Sequence, residues 1–363
     1  MIAPILVTRL RQTLPRTPQQ TILATVLVLG ALALSKAEDR SIAQGGRVPL
    51  RVLTLNMYGL RYPPRLGWMA DESDCAERFR AVGRRIRYAS PPYDIVAVQE
   101  LYRAPDLHII TCDPAPFLEA LEQTGEGFGR LRLILFSPKG EAWKGEVDGG
   151  IGLLTPHSVE ESEAVRFAGS GGPFFAARGF IFARIRITES NLKVDAYVVH
   201  LSPGRQNSEQ RKRELETLSK AIAEKSSASG NPVLVLGDFN IAGPPVAGSE
   251  YATILRQMGH PRDLWLENGA PDSGFTYDCF GNAVASLRGC DYEARIDYVW
   301  IVTDPRLSQS DYEVNASQGG GVRKVEWYTD GPKPLPVSDH FGVEASLWIE
   351  RKGAGMPLKG PQQ

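Results

Sequence analysis

From residue 48 onward the sequence alternates short apolar, β-branched runs with turn-rich or helical stretches. Nearly every run ends in a residue suited to metal or phosphate chemistry, and this pattern constrains the fold more than any other feature. The runs cover residues 50–55, 94–98, 131–136, 151–154, 179–187, 193–200, 233–236, 295–302 and 342–349. Some alternate apolar and polar residues, as half-buried strands do; others are continuously apolar, as central strands are. Helical periodicity appears over 75–87 and 208–228, the second with Glu, Lys and Arg on its outer face. Many strands and few helices predict two packed sheets with helices outside, in one α/β domain over residues 48–350.

The polar ends follow a fixed order. Asn56 closes the first run (LNMYGL), Gln99-Glu100 follows the second (DIVAVQEL), and His200 ends VVHLSPG. The run 233–236 leads into Gly237-Asp238-Phe239-Asn240, Asp297 lies inside RIDYVWIV, and Ser338-Asp339-His340 precedes the last run. Each has an ordinary explanation when taken singly. A Glu after a buried strand is usually solvated, GDFN has the composition of a turn, and a lone histidine is more often a satisfied core residue. Asp297 is harder to dismiss, because an acid inside an apolar strand needs a buried partner. Six such features at strand ends point to one sheet edge, where sites are usually assembled.

The ordered motifs LNMYGL, DIVAVQEL, VVHLSPG, LGDFN, RIDYVWI and SDHFGV span residues 51–343 and resemble the endonuclease/exonuclease/phosphatase superfamily. The resemblance implies a DNase I-like, four-layer α/β/β/α sandwich that hydrolyses a phosphoester with water and a divalent ion. That ion is usually Mg²⁺, as one or two ions, with Mn²⁺ or Co²⁺ as substitutes. By the same resemblance Asn56 and Glu100 bind the metal, and Asp339 adds to or neighbours that shell; all are hard oxygen donors of the kind Mg²⁺ takes. His340 is the implied general base, with Asp297 orienting its ring. His200 donates to a phosphate oxygen or protonates the leaving group, while Asp238 and Asn240 position the water and hold phosphoryl oxygens. His108, His157 and His260 match no motif and are expected to be structural or on the surface.

Two segments resemble the neutral sphingomyelinase branch. One is FTYDCFGNAVASLRGCDYEARIDYVWI, where a Thr, an Asp and an Asn precede R-I-D-Y-V; the other is ARGFIFARIRI followed by DAYVVHLS. They imply sphingomyelin or a related phospholipid at a membrane surface as substrate, with no obligate protein partner. The W-C-D-R-I pattern of the inositol 5-phosphatase branch is replaced here by Glu293-Ala294-Arg295-Ile296-Asp297, which disfavours it. A nuclease on the same fold is the alternative; its one basic candidate is Arg78, Arg80, Arg84, Arg85 and Arg87, a set that otherwise reads as a solvated helix face. A non-catalytic binding scaffold would have no need for the full polar set. Secreted bacterial sphingomyelinases place an apolar hairpin shortly before the final Asp-His. The corresponding stretch 311–336 offers Trp327 and Tyr328, which either sit at a bilayer interface or pack beneath a loop. GSGGPFF, residues 169–175, reads as a substrate-facing loop or a turn.

Composition narrows the partners. The 363-residue chain has a formal net charge of −1 and four cysteines. Arg9, Arg11 and Arg16, then the apolar stretch 22–34 and a small-x-small site before Ala37, match a secretory signal peptide over residues 1–37. An uncleaved anchor is the alternative. Residues 38–47 read as a linker and 351–363 as a frayed tail. Removing residues 1–37 leaves 37 basic against 42 acidic residues, which makes nucleic acid the less expected substrate. A secreted or periplasmic location permits disulfides. Four cysteines allow three pairings; Cys279–Cys290, closing a short loop, is favoured over buried free thiols.

Overall fold

The computed structural model describes residues 47–59, 72–103, 111–122, 131–136, 148–170, 176–188, 190–243, 249–268, 272–287, 289–317 and 321–352. The expected signal peptide, most of the linker, His108 and residues 171–175 of GSGGPFF lie outside the described residues, as does the tail beyond residue 352.

The strands are β1 (Arg47–Asn56), β2 (Ile95–Gln99), β3 (Arg132–Leu135), β4 (Gly152–Thr155), β5 (Ser158–Arg166), β6 (Gly179–Arg186), β7 (Lys193–His200), β8 (Val233–Gly243), β9 (Arg262–Asp263), β10 (Tyr277–Asp278), β11 (Glu293–Val302), β12 (Tyr312–Ala316), β13 (Val322–Val325) and β14 (Gly342–Arg351). The helices are α1 (Glu72–Arg87), α2 (Ala115–Glu122), α3 (Ser208–Ser226), α4 (Glu250–Gln257), α5 (Leu264–Glu267) and α6 (Ala283–Ser286). One sheet runs β12-β14-β1-β2-β4-β3, with β13 also on β14; the other runs β10-β11-β8-β7-β6-β5, with β9 on β11.

Strand alternation builds the layers, because successive side chains point to opposite faces. Leu50 and Val52 of β1, Ile95 and Ala97 of β2, Val194, Ala196 and Val198 of β7, and Leu234 and Leu236 of β8 form the core between the sheets. The opposite faces bury their residues against helices. Leu53, Leu55, Val96 and Val98 meet Phe79, Val82 and Ile86 of α1 and Phe117 of α2. Tyr197, Val199, Val235 and Trp300 meet Leu215, Leu218 and Ile222 of α3 and Ile254 of α4. The apolar positions of α1 and α3 recur at three- and four-residue spacing, which gives each helix one stripe to bury. This is the expected four-layer α/β/β/α sandwich.

Three differences from the sequence reading have local causes. GDFN is not a turn: β8 continues through it to Gly243. Gly237 adopts φ 150°, and a Cβ there would stand 2.0 Å from the Val199 carbonyl oxygen, so only glycine lets β8 approach β7 this closely. The strand β5 is added at a sheet edge; its run SVEESEAVR is too acidic to register as apolar, and Lys225 bridges to Glu161 and Glu163 along it. Finally, Arg78 does not belong to a solvated face. It is 3% exposed and donates to the carbonyls of Met57, Val337 and Tyr58.

Both cysteine pairs are joined, Cys75–Cys112 and Cys279–Cys290. Trp327 is half-buried, packing against the helix-side core and edge-to-face on Tyr93 at 6.5 Å between centroids. Tyr328 is also half-buried and bridges to Pro336. His157 is buried between Thr188 and Asp94, a structural role as expected.

Candidate functional site

The polar residues occupy the continuation of the inter-sheet core. Two residues beyond each core position, in the same alternation, stand Thr54 and then Asn56 in β1, Gln99 in β2, His200 in β7 and Asp238 in β8. Asp297 stands two before Val299 in β11. A face that is apolar along most of its length thus becomes polar at one end of the sandwich. Gln99 is held by Thr54 within that face.

Register aligns three of them. His200 is the β-partner of Asp238, and Asp238 is the partner of Asp297. The three therefore form a row across adjacent strands, where directly opposed side chains lie within reach. A register shift between Arg295 and Asp297 sits beside the row; bulges of this kind re-aim side chains next to sites. Thr276 Oγ1 accepts hydrogen bonds from the amides of both Ile296 and Asp297 and pins the bulged strand. Arg295, in the same RIDY motif, points away from the row: its buried guanidinium pairs with Asp263 on β9.

The second sheet closes the site from across the sandwich. Asn56 Nδ2 donates to Asp238 Oδ2 at 3.1 Å, and Asn56 Oδ1 accepts the Tyr58 amide at 2.9 Å. Asp238 Oδ1 accepts the Asn240 amide at 2.8 Å; Asn240, at φ 52°, turns its own side-chain amide onto the Leu201 carbonyl. His340 Nδ1 lies 2.8 Å from Asp297 Oδ2. The segment before β14 is anchored by Ser338, whose hydroxyl donates to the Asn56 carbonyl at 2.6 Å and accepts the His340 amide at 3.1 Å. Asp238, Asp297 and His340 offer ligand atoms all within 4.8 Å of one another.

Electrostatics divide the two histidines. Burial would lower the His340 imidazole, but Asp297, through its charge and hydrogen bond, then Asp339 and Asp238, push it up to about 10. Burial, Arg178 and His340 hold His200 well below the usual histidine range, so it is neutral. Its Nε2 faces Asp238 Oδ2 at 3.5 Å, and its Nδ1 has no partner among the described residues. Burial, then the neighbouring Asp297 charge, push the Asp238 carboxyl up to about 7.

Glu100 and Asp339 act on this cluster by charge, Asp339 on His340 and Glu100 on Arg178. Glu100 is half-buried just after β2 and adopts φ 60°, a left-handed conformation uncommon for a residue with a side chain. Asp339 is 1% exposed, and its charge and that of Glu100 both act on buried Arg78. Asn56, Glu100 and Asp339 offer a carboxamide oxygen and two carboxylates, a donor set that fits a hard divalent cation. Asp297 Oδ1 is buried without a partner among the described residues, a further oxygen facing no protein donor.

Sequence reasoning missed Arg178. It is 5% exposed, its guanidinium donates to the Tyr102 hydroxyl at 3.3 Å, and its Nε has no partner among the described residues. Burial works against its charge, but Tyr102, Glu100 and Asp238 raise its proton affinity further. Its place immediately before β6, whose first residue pairs with His200, was the available signal. A buried arginine beside His200 and Asp238 can hold a phosphoryl oxygen.

The sequence pattern described as "Endonuclease/Exonuclease/phosphatase family" matches residues 53–340. No curated protein sequence matches the chain significantly. Among solved structures, the chain is similar to a mutant form of beta toxin from Staphylococcus aureus with bound magnesium ions. The identity is 16% and the TM-score 0.55, covering 84% of this chain and 100% of that one. Sphingomyelinase C from Streptomyces griseocarneus aligns at 18% identity and TM-score 0.53, over 82% and 99%. D. rerio TDP2, complexed with a single-strand DNA product, aligns at 17% and 0.55, over 82% and 98%. These likenesses establish a shared fold.

Proposed function

The chain belongs to the endonuclease/exonuclease/phosphatase family, whose members are metal-dependent phosphoester hydrolases, and from that premise we propose that it is a secreted, Mg²⁺-dependent phosphodiesterase that hydrolyses sphingomyelin to ceramide and phosphocholine. The observation that carries phosphoester hydrolysis is the His340–Asp297 pair standing beside buried Asp238, with Asn56 joining the two sheets at the same point.

Each residue has a role consistent with its contacts. Asp297 holds His340 by Nδ1, leaving Nε2 to take a proton from the attacking water. Neutral His200 suits donation of one N–H to a phosphoryl oxygen better than protonation of the leaving group. Asp238, which titrates near neutrality, can accept a hydrogen bond from the water or donate one to phosphate, and the Asn240 amide fixes its orientation. Arg178 adds a permanent positive charge for the phosphoryl oxygens. Asn56, Glu100 and Asp339 would hold the cation; when bound, it stabilises charge building at phosphorus and weakens the hold of His340 on its proton. Magnesium is supported by the donor set and by the bound ions of the S. aureus beta toxin structure.

The lipid reading draws on the sphingomyelinase-like segments and on surface charge. A nuclease needs unpaired cations flanking the site. Of the arginines of α1, Arg84 and Arg85 instead line a cavity of about 520 Å³ with Arg51, Arg323 and Lys324. There Arg84 and Arg85 pair with Asp330, Arg51 and Arg323 with Glu344, and Lys324 with Glu326. Export is supported by the signal-like residues 1–37 and by two disulfides, which persist outside the cytosol.

The deciding experiment measures phosphocholine release from sphingomyelin vesicles, with phosphatidylcholine vesicles and plasmid DNA in parallel, in Mg²⁺ and in chelator. Metal-dependent release from sphingomyelin alone is expected. Intact lipid with nicked plasmid would retain the catalytic roles and replace the substrate.

A further inference from the structure

We propose that the disulfide-closed loop Cys279–Cys290 is the surface by which this protein contacts a zwitterionic choline-lipid bilayer, with Phe280 and Leu287 as the residues that enter it. The proposal rests on the lipid reading above and assigns its membrane contact to an element different from Trp327 and Tyr328, which are packed.

Phe280 is 73% exposed and Leu287 66% exposed, the two most exposed large apolar side chains among the described residues. Both lie between Cys279 and Cys290. Leaving such groups in water forgoes the free energy of burial, and an apolar pair held outward next to a site marks an interaction surface. Tyr292, 41% exposed and packed on the Tyr277 ring at 5.2 Å, adds an aromatic with a polar tip just past Cys290.

The backbone of the loop is fixed by its own side chains. Asp278 Oδ1 accepts the amides of Phe280 and Gly281, at 2.9 and 2.7 Å. A Cβ on Gly281 would stand 2.4 Å from Asp278 Oδ2, so a side chain there would displace the carboxylate that holds the turn. Asn282 caps α6 by accepting the amides of Val284 and Ala285. The inner side of the loop is already filled: Cys279 and Ala285 pack with Tyr277, Ala294 and Ile296 in a small separate core.

The same loop is fastened to the catalytic segment. Asn282 Nδ2 donates to the Ser338 carbonyl at 3.0 Å, and Ser338 holds both Asn56 and His340. Tyr277 forms a β-bridge with His340, and their rings meet edge-on at 5.2 Å. Lipid bound by the loop is therefore presented beside His340. Charge selects the kind of bilayer. Residues 277–293 carry one arginine against Asp278, Asp291 and Glu293, and the Arg205 guanidinium stands over the Tyr292 ring at 5.4 Å, so two cations meet three acids. A surface of that composition lacks the excess cations that anionic lipid attracts and fits a headgroup of no net charge.

The test is co-sedimentation with sphingomyelin/phosphatidylcholine vesicles, comparing the wild-type protein with the double variant Phe280→Ser, Leu287→Ser. Hydrolysis of the same vesicles and of a monomeric short-chain sphingomyelin is measured alongside. The double variant is expected to lose at least about tenfold in vesicle partitioning, with unchanged melting temperature and unchanged kcat on the monomeric lipid. Vesicle binding equal to wild type overturns the proposal, even if sphingomyelin is hydrolysed. So does a wild-type dimer that the variant converts to monomer, because the loop would then join two copies. Binding that depends on Phe280 and Leu287 without phosphocholine release leaves the contact surface standing and removes the substrate reading.

Discussion

Asn56 and Asp238 belong to different sheets, and the 3.1 Å hydrogen bond between them is the point where the two halves of the sandwich meet in the site. Asn56 ends β1, while Asp238 sits mid-strand in β8, flanked in register by His200 and Asp297. The proposed metal donors Asn56, Glu100 and Asp339 therefore come from one sheet and its connections, as does His340, while His200, Asp238 and Asp297 come from the other. Relative displacement of the sheets would separate the two sets.

His340→Ala and Asp238→Ala are each expected to reduce turnover by about 10²–10⁴-fold, the range of a lost general base or positioned acid. Melting temperature should change far less than activity, since the apolar core is untouched. Near-wild-type turnover in either variant would refute the assignment.

Glu100→Gln is expected to weaken the metal more than the substrate. Loss of a carboxylate donor should raise the Mg²⁺ concentration for half-maximal activity by at least about 10–100-fold, the effect seen even for outer-shell partners. A Mg²⁺ titration of activity checks this, and an unchanged midpoint would remove Glu100 from the ligand set.

Arg178→Ala should lower kcat/KM by about 10²-fold through loss of a buried donor to the phosphoryl oxygens, with partial recovery in Arg178→Lys. Tyr102→Phe breaks the 3.3 Å contact to Arg178 but keeps its charge, and should cost much less. Equal losses in Tyr102→Phe and Arg178→Ala would reduce Arg178 to a structural role.

Stability of the metal-free protein should fall as pH rises. His340 is raised from 6.5 to about 10 and Asp238 from 3.8 to about 7. In both cases the folded chain holds more protons than the unfolded chain between the two values. Their contribution is thus full below the unfolded values and is lost through about pH 4–7 for Asp238 and about 6.5–10 for His340. Melting temperatures in chelator at pH 6 and pH 9 should drop in the wild type. The drop should be smaller in Asp297→Asn, where His340 loses its largest raising partner. Equal slopes would contradict the pairing.

The disulfide Cys75–Cys112 joins residues 37 apart in sequence, and Cys279–Cys290 residues 11 apart. In the chain-entropy account the longer loop gives the larger effect. Cys75→Ala with Cys112→Ala is therefore expected to cost about 2–4 kcal/mol, and the Cys279, Cys290 double replacement less. Denaturant unfolding under non-reducing conditions measures both.

Much of this architecture could be read from the sequence, because alternation with period two is a local property. Eight of the nine apolar runs became strands within about three residues of their expected limits, the run 233–236 extended through GDFN to Gly243, and the polar residues at their ends came out on one side of the inter-sheet core. Strands β5, β12 and β13 were not legible: at sheet edges a strand keeps polar side chains on exposed faces and leaves no apolar run. Helix α2 was too short to show a period.

The sequence by itself determined which side chains stand at the strand ends, the residue types available for metal and proton chemistry, and the glycine that lets β8 meet β7. Only the tertiary structure decided which of them touch. Register placed His200, Asp238 and Asp297 in one row, and packing of the two sheets carried Asn56 to Asp238. Arg78 became buried because carbonyls from Met57, Tyr58 and Val337 converge on it. Arg178 faces the site because β6 pairs with β7 at Gly179 and His200. Such contacts join residues tens to hundreds of positions apart, and they exist only once the apolar faces have set the distance between the sheets.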